Sequence, residues 1–272
     1  MTSPKSPLDE TSDKSFWHGY TAFYEGLLPA DIAGLIIEFG VFKGNSVRWL
    51  LARYPRARIV GVDILPVQPE WPIDPRVEYR QADQGSEAQM AAVLADLPPP
   101  QLIIEDGSHV PAHQARCLRL GLDRLLPGGL YILEDAHTSL PSHSLFKQEL
   151  ADASRGKPGQ ALQSLLHRNA VPRHATALSL LLALEHVRRL PDEAARQRAL
   201  ETLDIGGHFD RQAIERLHRC IDSIRVYRRS TLPLRCYRCG SDAFDYHAYR
   251  CRCGVELFAE ADSMSVAIVK SA

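Results

Sequence analysis

The chain has 272 residues, 45% of them hydrophobic, and its 32 Lys+Arg against 33 Asp+Glu leave a formal net charge of −1. That is enough apolar sequence for one full α/β core with a smaller appendage, and too little positive charge to imply nucleic acid on charge alone. No apolar run approaches the roughly 18 residues of a membrane span, and the N-terminal stretch lacks a signal-like apolar segment, so the cytoplasm is the expected compartment.

The first dozen residues, rich in Ser, Pro, Asp and Lys, read as mobile. Phe16 to Tyr24 is aromatic and is expected to pack over a pocket mouth. A strand at Leu35–Phe39 runs into the loop Glu38-Phe-Gly-Val-Phe-Lys-Gly44, then a helix from about Asn45 to Arg53, then a strand from Arg58 ending at Asp63. Strand, tight turn, helix and strand make the right-handed unit of a doubly wound α/β fold. The pattern continues with a strand at Val77–Gln81, a helix from Ala88 to Leu97, a strand at Leu102–Glu105 and a helix from Ala112 to Leu125. The turn Pro127-Gly-Gly129 leads into a strand at Leu130–Leu133. From about Ser142 to Leu217 the pattern is helical, broken near Gly156, Pro172, Pro191 and Gly206-Gly207. This stretch is too long for an ordinary crossover and reads as a helical insertion, either a lid over the active face or an oligomer-packing surface. Late strands at Ser223–Tyr227 and Ser265–Val269 flank a cysteine module, and no internal repeat is present. The expected division is a covering segment over 1–34, a Rossmann-like core over 35–140, the insertion over 141–217, and late strands over 218–272 with a ribbon at about 234–256.

Two acidic strand ends carry the chemistry: Leu102-Ile-Ile-Glu-Asp-Gly-Ser-His109 and Leu130-Tyr-Ile-Leu-Glu-Asp135. As neighbouring parallel strands they bring their carboxylates and His109 to one sheet edge, where a cofactor, a divalent metal and a hydroxyl substrate can share a site. Each residue alone has an ordinary explanation, Asp106 capping the next helix and Glu134-Asp135 facing water; the joint arrangement favours a metal. A metal-bound hydroxyl loses its proton more readily, and His109 is placed to take it. His113 and His137 either line this site, stand behind it or lie at the surface. The Gly40/Gly44 pair lacks the central glycine of the dinucleotide fingerprint, which favours a cofactor without pyrophosphate, while Asp63 ends the next strand where a carboxylate can accept from both hydroxyls of a ribose.

A second cluster, Cys236-Tyr-Arg-Cys239-Gly-Ser with Cys251-Arg-Cys253-Gly, has the ligands for one tetrahedral Zn²⁺, with Gly240 and Gly254 easing the turns. The second pair has one intervening residue instead of two, which keeps a disulfide as the alternative. Four thiolates leave no open position, so the Zn²⁺ is expected to be structural. Arg235, Arg238, Arg250 and Arg252 with Tyr237, Tyr246 and Tyr249 offer cations and stacking surfaces of the kind that bind nucleic acid, but Asp242 and Asp245 offset the charge and a stabilised hairpin or protein interface is the simpler use. Cys117 and Cys220 read as core thiols.

The chain resembles class I S-adenosylmethionine-dependent methyltransferases, and more narrowly the macrocin and mycinamicin sugar O-methyltransferases of macrolide biosynthesis. The resemblance spans roughly residues 13 to 140 and rests on Asp13-Lys14 with His18, Tyr20 and Tyr24; Glu38-x-Gly-Val-x-x-Gly-x-Ser46; Val60-Gly-Val-Asp63; and Asp83-Gln84. It continues through Asp106-Gly-Ser-His109, His113, Leu126-Pro-Gly-Gly129 and Tyr131-Ile-Leu-Glu-Asp-x-His-Thr-Ser139. It implies Mg²⁺ held by Asp106, Glu134 and Asp135, with His109 as general base. It also implies a cofactor set of Tyr20, Glu38, Gly40, Gly44, Ser46, Asp63, Asp83 and Gln84, with Glu38 near the methionine, Asp63 near the ribose and Asp83-Gln84 near the adenine. The sequence departs from the family at Glu134, where an aspartate is usual, and at Leu140, where the motif continues with tyrosine. The function so implied is Mg²⁺-dependent methylation of a hydroxyl on a small natural product, with a sugar-bearing acceptor favoured, homo-oligomerisation left open, and neither membrane nor nucleic acid as partner. The alternatives are a non-catalytic assembly protein on the same fold and, less favoured, a nucleic-acid-binding methyltransferase.

Overall fold

Every residue of β1 (Leu35–Phe39) is buried, Glu38 included, which a strand achieves only in the middle of a sheet covered on both faces. β1 pairs in parallel with β2 (Arg58–Asp63) on one side and β4 (Pro100–Glu105) on the other. β3 (Val77–Gln81) lies outside β2 and is only partly buried, as an edge strand should be. β5 (Leu130–Leu133) continues the parallel run beyond β4. β9 (Met264–Lys270) then pairs antiparallel with both β5 and β6 (Ile221–Arg228), giving a seven-stranded sheet in the order β3-β2-β1-β4-β5-β9-β6. This computed structural model describes residues 12–154, 175–203, 208–229, 232–257 and 263–272. All but the last of the first dozen residues, and the breaks expected at Gly156, Pro172 and Gly206-Gly207, lie outside the described residues.

Side chains alternate across the central strands, so the sheet has two apolar faces. Leu35, Ile37, Phe39, Ile103, Tyr131 and Leu133 face one core; Ile36, Leu102, Ile104, Leu130 and Ile132 face the other. Against the second face pack α2 (Tyr20–Leu27) and α3 (Asn45–Arg53), through residues such as Tyr24, Val47 and Leu50. The first face takes α4 (Glu87–Ala95) and α5 (Pro111–Arg124), with Met90, Leu118 and Leu122 buried. A single turn, α1 (Asp13–Phe16), precedes α2.

The helix ends follow local chemistry. α4 starts earlier than expected because the Ser86 hydroxyl accepts from the Gln89 N–H, and it ends before Leu97, whose position ahead of Pro98 disfavours helix. α5 opens on Pro111, where proline's missing N–H costs nothing. Between β5 and β6 a 3-10 turn (Ala136–Ser139) is followed by the described α-helices α6 (Ser144–Ser154), α7 (Ala177–Arg188), α8 (Glu193–Thr202) and α9 (Arg211–Cys220), with the expected break at Pro191 falling between α7 and α8. α7 and α9 bury Leu178, Leu181, Leu184, Ile214 and Leu217 in the same core as α5. A two-strand hairpin, β7 (Phe244–Asp245) with β8 (Arg250–Cys251), carries part of the cysteine module. No described helix is long and apolar enough to cross a membrane.

Candidate active site and metal centre

The C-terminal ends of β1, β2, β4 and β5 open into a cavity of ≈ 520 Å³ whose walls include Gly40, Asp63, Asp83, Gln84, Asp106, His109, Glu134 and Asp135. Tyr20, Lys14 and His18 close it from the N-terminal segment, so strand ends and covering aromatics meet at one place. No described residue from 141 to 217 lines this cavity.

Gly40 holds β1 and β4 together at the cavity floor. Its φ is +93°, and a Cβ there would come within 2.1 Å of the Asp106 carbonyl oxygen. The residue therefore supplies both the turn and the close approach that lets Asp106 stand beside the first loop. Gly44 has φ +71° and precedes α3, where a Cβ would meet Pro72 at 2.6 Å. Asp63 braces the same loop: one carboxylate oxygen accepts from the Val41 and Phe42 N–H groups at 2.8 and 3.1 Å, and the other accepts from Leu65 at 2.9 Å. Ser46 is buried in the first turn of α3.

Gln84 and Asp83 shape the next wall. The Gln84 amide donates to Glu105 at 2.9 Å and its oxygen accepts the Ser108 N–H at 2.7 Å, which fixes the turn after Asp106. Asp83 accepts the Gly85 N–H at 2.7 Å. Burial pushes Glu105 up to about 7, with the Gln84 hydrogen bond opposing it.

Asp106, His109 and Asp135 meet on the floor: one ligand atom from each lies within 4.8 Å of the others, a set able to hold a metal ion. His109 and Asp135 both have left-handed backbones, at φ +57° and +48°, which is strained for residues with a side chain. Against the cost of burial, His18, His109 and His137 hold Asp135 well below the usual carboxylate range, and Tyr20 donates to it at 2.6 Å. The imidazole nitrogens stand 3.7–3.8 Å from its oxygens. Burial works against protonation of His109, but Asp135, Asp106 and Glu105 outweigh it and raise its pKa. His137 is pushed down to about 4 by burial, and His113, whose Nδ1 is 2.8 Å from the Ser108 hydroxyl, is lowered for the same reason.

Glu134 sits apart from that trio. Its carboxylate accepts from the Lys14 ammonium at 2.7 and 2.8 Å and from the Tyr24 hydroxyl. Lys14 also donates to Asp106 at 2.5 Å and lies 4.0 Å from Glu38. Burial disfavours charge on Lys14, yet Asp106, Glu134 and Glu38 overcome it and raise its pKa well above normal. Burial pushes Glu38 up to about 7, with Lys14 pulling the other way. Sequence reasoning missed the individual roles of Lys14 and Tyr24; only their place beside His18 and Tyr20 marked them, and nothing local announces a lysine that pairs 92 and 120 residues away.

The second centre lies in the C-terminal module. Cys236, Cys239, Cys251 and Cys253 place their sulfurs within 4.8 Å of one another, able to hold a metal. The pairs Cys236–Cys253 and Cys239–Cys251 are 3.7 and 3.5 Å apart, close to the about 3.8 Å edge of a tetrahedron with Zn–S bonds of about 2.3 Å. All four are free thiols, and Gly240 and Gly254 have φ +69° and +89° in the two turns that present them. Cys117 is buried and its thiol is raised well above normal by burial, as a core residue's should be.

Residues 37–136 match the family described as Methyltransferase domain. Together with the antiparallel β9 set between β5 and β6, which separates this sheet from the all-parallel dinucleotide order, that match decides the architecture. The core has the class I methyltransferase fold. The chain is similar to O-methyltransferases named for rhamnosyl, olivosyl and mycinamicin substrates. It is 35% identical over 141 residues to the 8-demethyl-8-alpha-L-rhamnosyl tetracenomycin-C 2'-O-methyltransferase of Streptomyces olivaceus, a match covering 48% of this chain and 37% of that protein. It is 28% identical over 152 residues to the mycinamicin VI 2''-O-methyltransferase of Micromonospora griseorubida, covering 50% of this chain and 38% of that protein. The chain thus spans well under half the length of these relatives. Among solved structures, the MycE methyltransferase of the mycinamycin pathway in complex with Mg and SAH superposes with a TM-score of 0.58 at 19% identity, over 99% of this chain and 55% of that one.

Proposed function

We propose that this methyltransferase domain transfers a methyl group from S-adenosylmethionine to a hydroxyl of a small natural product, on a sugar residue, with Mg²⁺ at the strand ends. The observation that carries the reading is the meeting of Asp106, His109 and Asp135 on the floor of the cavity bounded by the Gly40 loop and Asp63. The sugar acceptor is supported by what the relatives are named for, rhamnosyl and mycinamicin hydroxyls.

The residues fit both groups. Both carboxylate oxygens of Glu38 are buried without a hydrogen-bond partner among the described residues, which suits an ammonium such as that of the methionine moiety. Asp63, Asp83, Gln84, Tyr20 and Gly40 line the cavity, which supports assigning Asp63 to the ribose and Asp83 and Gln84 to the adenine, while Gly44 and Ser46, outside the lining, would act by shaping the loop. Oxygen ligands from Asp106 and Asp135 lie close enough together to suit a hard divalent cation, while Lys14 neutralises part of the charge on Asp106 and Glu134. Asp106 and Asp135 would hold Mg²⁺ from the open side; Glu134, the third carboxylate expected there, is engaged by Lys14 and Tyr24 and would join as that pairing allows. When bound, the sulfonium supplies the methyl group and the metal acidifies the acceptor hydroxyl.

The remaining work belongs to the protein. His109 takes the hydroxyl proton on its ring, and Asp135 stabilises the imidazolium that results. The left-handed turns at His109 and Asp135 fix both groups before substrate arrives, which saves reorganisation during the reaction. The buried aromatics Tyr20 and Tyr24 exclude water from that corner.

Calorimetry with S-adenosylhomocysteine tests the cofactor assignment: wild type should bind and Asp63→Ala should bind at least about tenfold more weakly, through loss of both the ribose acceptor and the loop brace. Methyl transfer to glycosylated hydroxyl acceptors should require Mg²⁺ and collapse in Asp135→Asn. A wild-type protein with no affinity for S-adenosylhomocysteine overturns the reading.

A further inference from the structure

α1 has one turn, too short to hold its own shape in water, yet it places a buried cation, Lys14, among the carboxylates. Its position must come from tertiary contacts, and on the side away from the cavity those contacts are with the cysteine module. The Leu234 N–H donates to the Phe16 carbonyl at 2.7 Å, and the Arg235 guanidinium lies 4.2 Å from the centre of the Phe16 ring. Trp17 meets Tyr237 edge-on at 4.8 Å and is buried in one small apolar cluster with Cys236, Cys251, Val255 and Leu257. The two metal-facing residues Cys236 and Cys251 are therefore also part of the surface on which the N-terminal segment sits.

On the cavity side the same segment delivers Lys14 to Asp106 and Glu134, His18 and Tyr20 to Asp135, and Tyr24 to Glu134. The module itself has strands of two residues and, among the described residues, no core beyond the cluster with Trp17, so without an ion its loops have little to fix them.

We propose that the metal-loaded four-cysteine module is a clamp that holds residues 13–24 in the acidic cavity, so that an ion outside the reaction centre governs whether the centre is assembled. Phe16 and Trp17 are the positioning residues through which it acts. The coupling is reciprocal: a ligand that engages the acidic cavity together with the segment raises the affinity of the four cysteines for their ion. The clamp rests on the contacts alone, and only its effect on turnover depends on the methyl-transfer reading.

Amide hydrogen exchange on the full chain, with zinc content measured in parallel, tests it. Cys239→Ser, at an exposed ligand, should lose the ion, and exchange over 13–24 should speed up at least about tenfold while β1, β2 and β4 keep wild-type protection. Trp17→Ala should keep its ion and still lose protection over 13–24, which separates the clamp from metal-dependent folding of the module. A zinc-free Cys239→Ser with wild-type protection over 13–24, an ion-loaded Trp17→Ala with the same, or a metal-replete wild type that binds no zinc would each overturn the proposal. Absence of S-adenosylhomocysteine binding would sink the methyl-transfer reading and leave these exchange rates to judge the clamp.

Discussion

His109 and Asp135 face each other from two strand ends, and each occupies a backbone conformation that costs of order 1–3 kcal/mol for a residue with a Cβ. Strain held at two interacting polar residues agrees with the role proposed for them. His109→Gln keeps a polar side chain and removes the proposed base, so kcat should fall by about 10²–10⁴-fold with S-adenosylhomocysteine affinity unchanged, read by turnover and calorimetry on one preparation. Glu105, one residue from Asp106, makes a different prediction. Its carboxyl ionises near 4.5 when unfolded and at about 7 when folded, so the folded state binds the extra proton between those values. Its contribution to stability is therefore fully present below about 4.5 and lost as pH climbs through about 7. Glu105→Gln retains an acceptor for Gln84 and cannot ionise, so denaturant unfolding should find it more stable than wild type at about pH 8, with the gap shrinking toward about pH 5. An equal gap at both pH values would refute the buried-carboxyl account.

At the scale of elements, the turn after β1 shows how one glycine sets a site. Gly40→Ala must place a methyl 2.1 Å from backbone, so it should cost several kcal/mol, at the upper end of single substitutions, and abolish cofactor binding. Gly128→Ala also has positive φ, +73°, but meets nothing within 4 Å, so its cost should stay near about 1 kcal/mol. Chemical denaturation of the two variants checks the contrast. The sequence made β1, α3, β2, β3 and β5 legible to the residue because apolar runs and glycine turns are local signals. It also brought Asp106, His109 and Asp135 to one edge, since adjacent parallel strands align their ends. The place of Glu134 was not legible: its neighbour Asp135 belongs to the cavity trio, and which way Glu134 turns depends on Lys14 and Tyr24, more than a hundred residues away. Likewise the periodicity of 142–217 announced helices, and the packing of α7 into the core came only from the fold.

For the molecule as a whole, that packing ties the inserted helices to the sheet. Leu184, fully buried between α7 and the core, should cost about 2–5 kcal/mol when cut to alanine, and unfolding should remain a single transition by far-UV dichroism and tryptophan fluorescence. A separate early transition in that variant would instead make the helices an independent layer. The N-terminal segment is tied to the same sheet by Tyr227 of β6, which donates to the Gly19 carbonyl at 3.1 Å. Just past the end of that strand, Arg229 donates to the Leu257 carbonyl at 3.2 Å and so ties in the cysteine module.

The antiparallel β9 has a consequence for the order of assembly. It is later in the chain than β6 yet lies between β6 and β5, so a chain emerging from the ribosome makes β5 and β6 before the strand that joins them. Until β9 arrives, β5 presents an unpaired edge, and β6 has no partner in the sheet. Slowing synthesis between β6 and β9 should therefore raise the fraction of self-associated chains, since a bare strand edge is the feature most apt to recruit another copy.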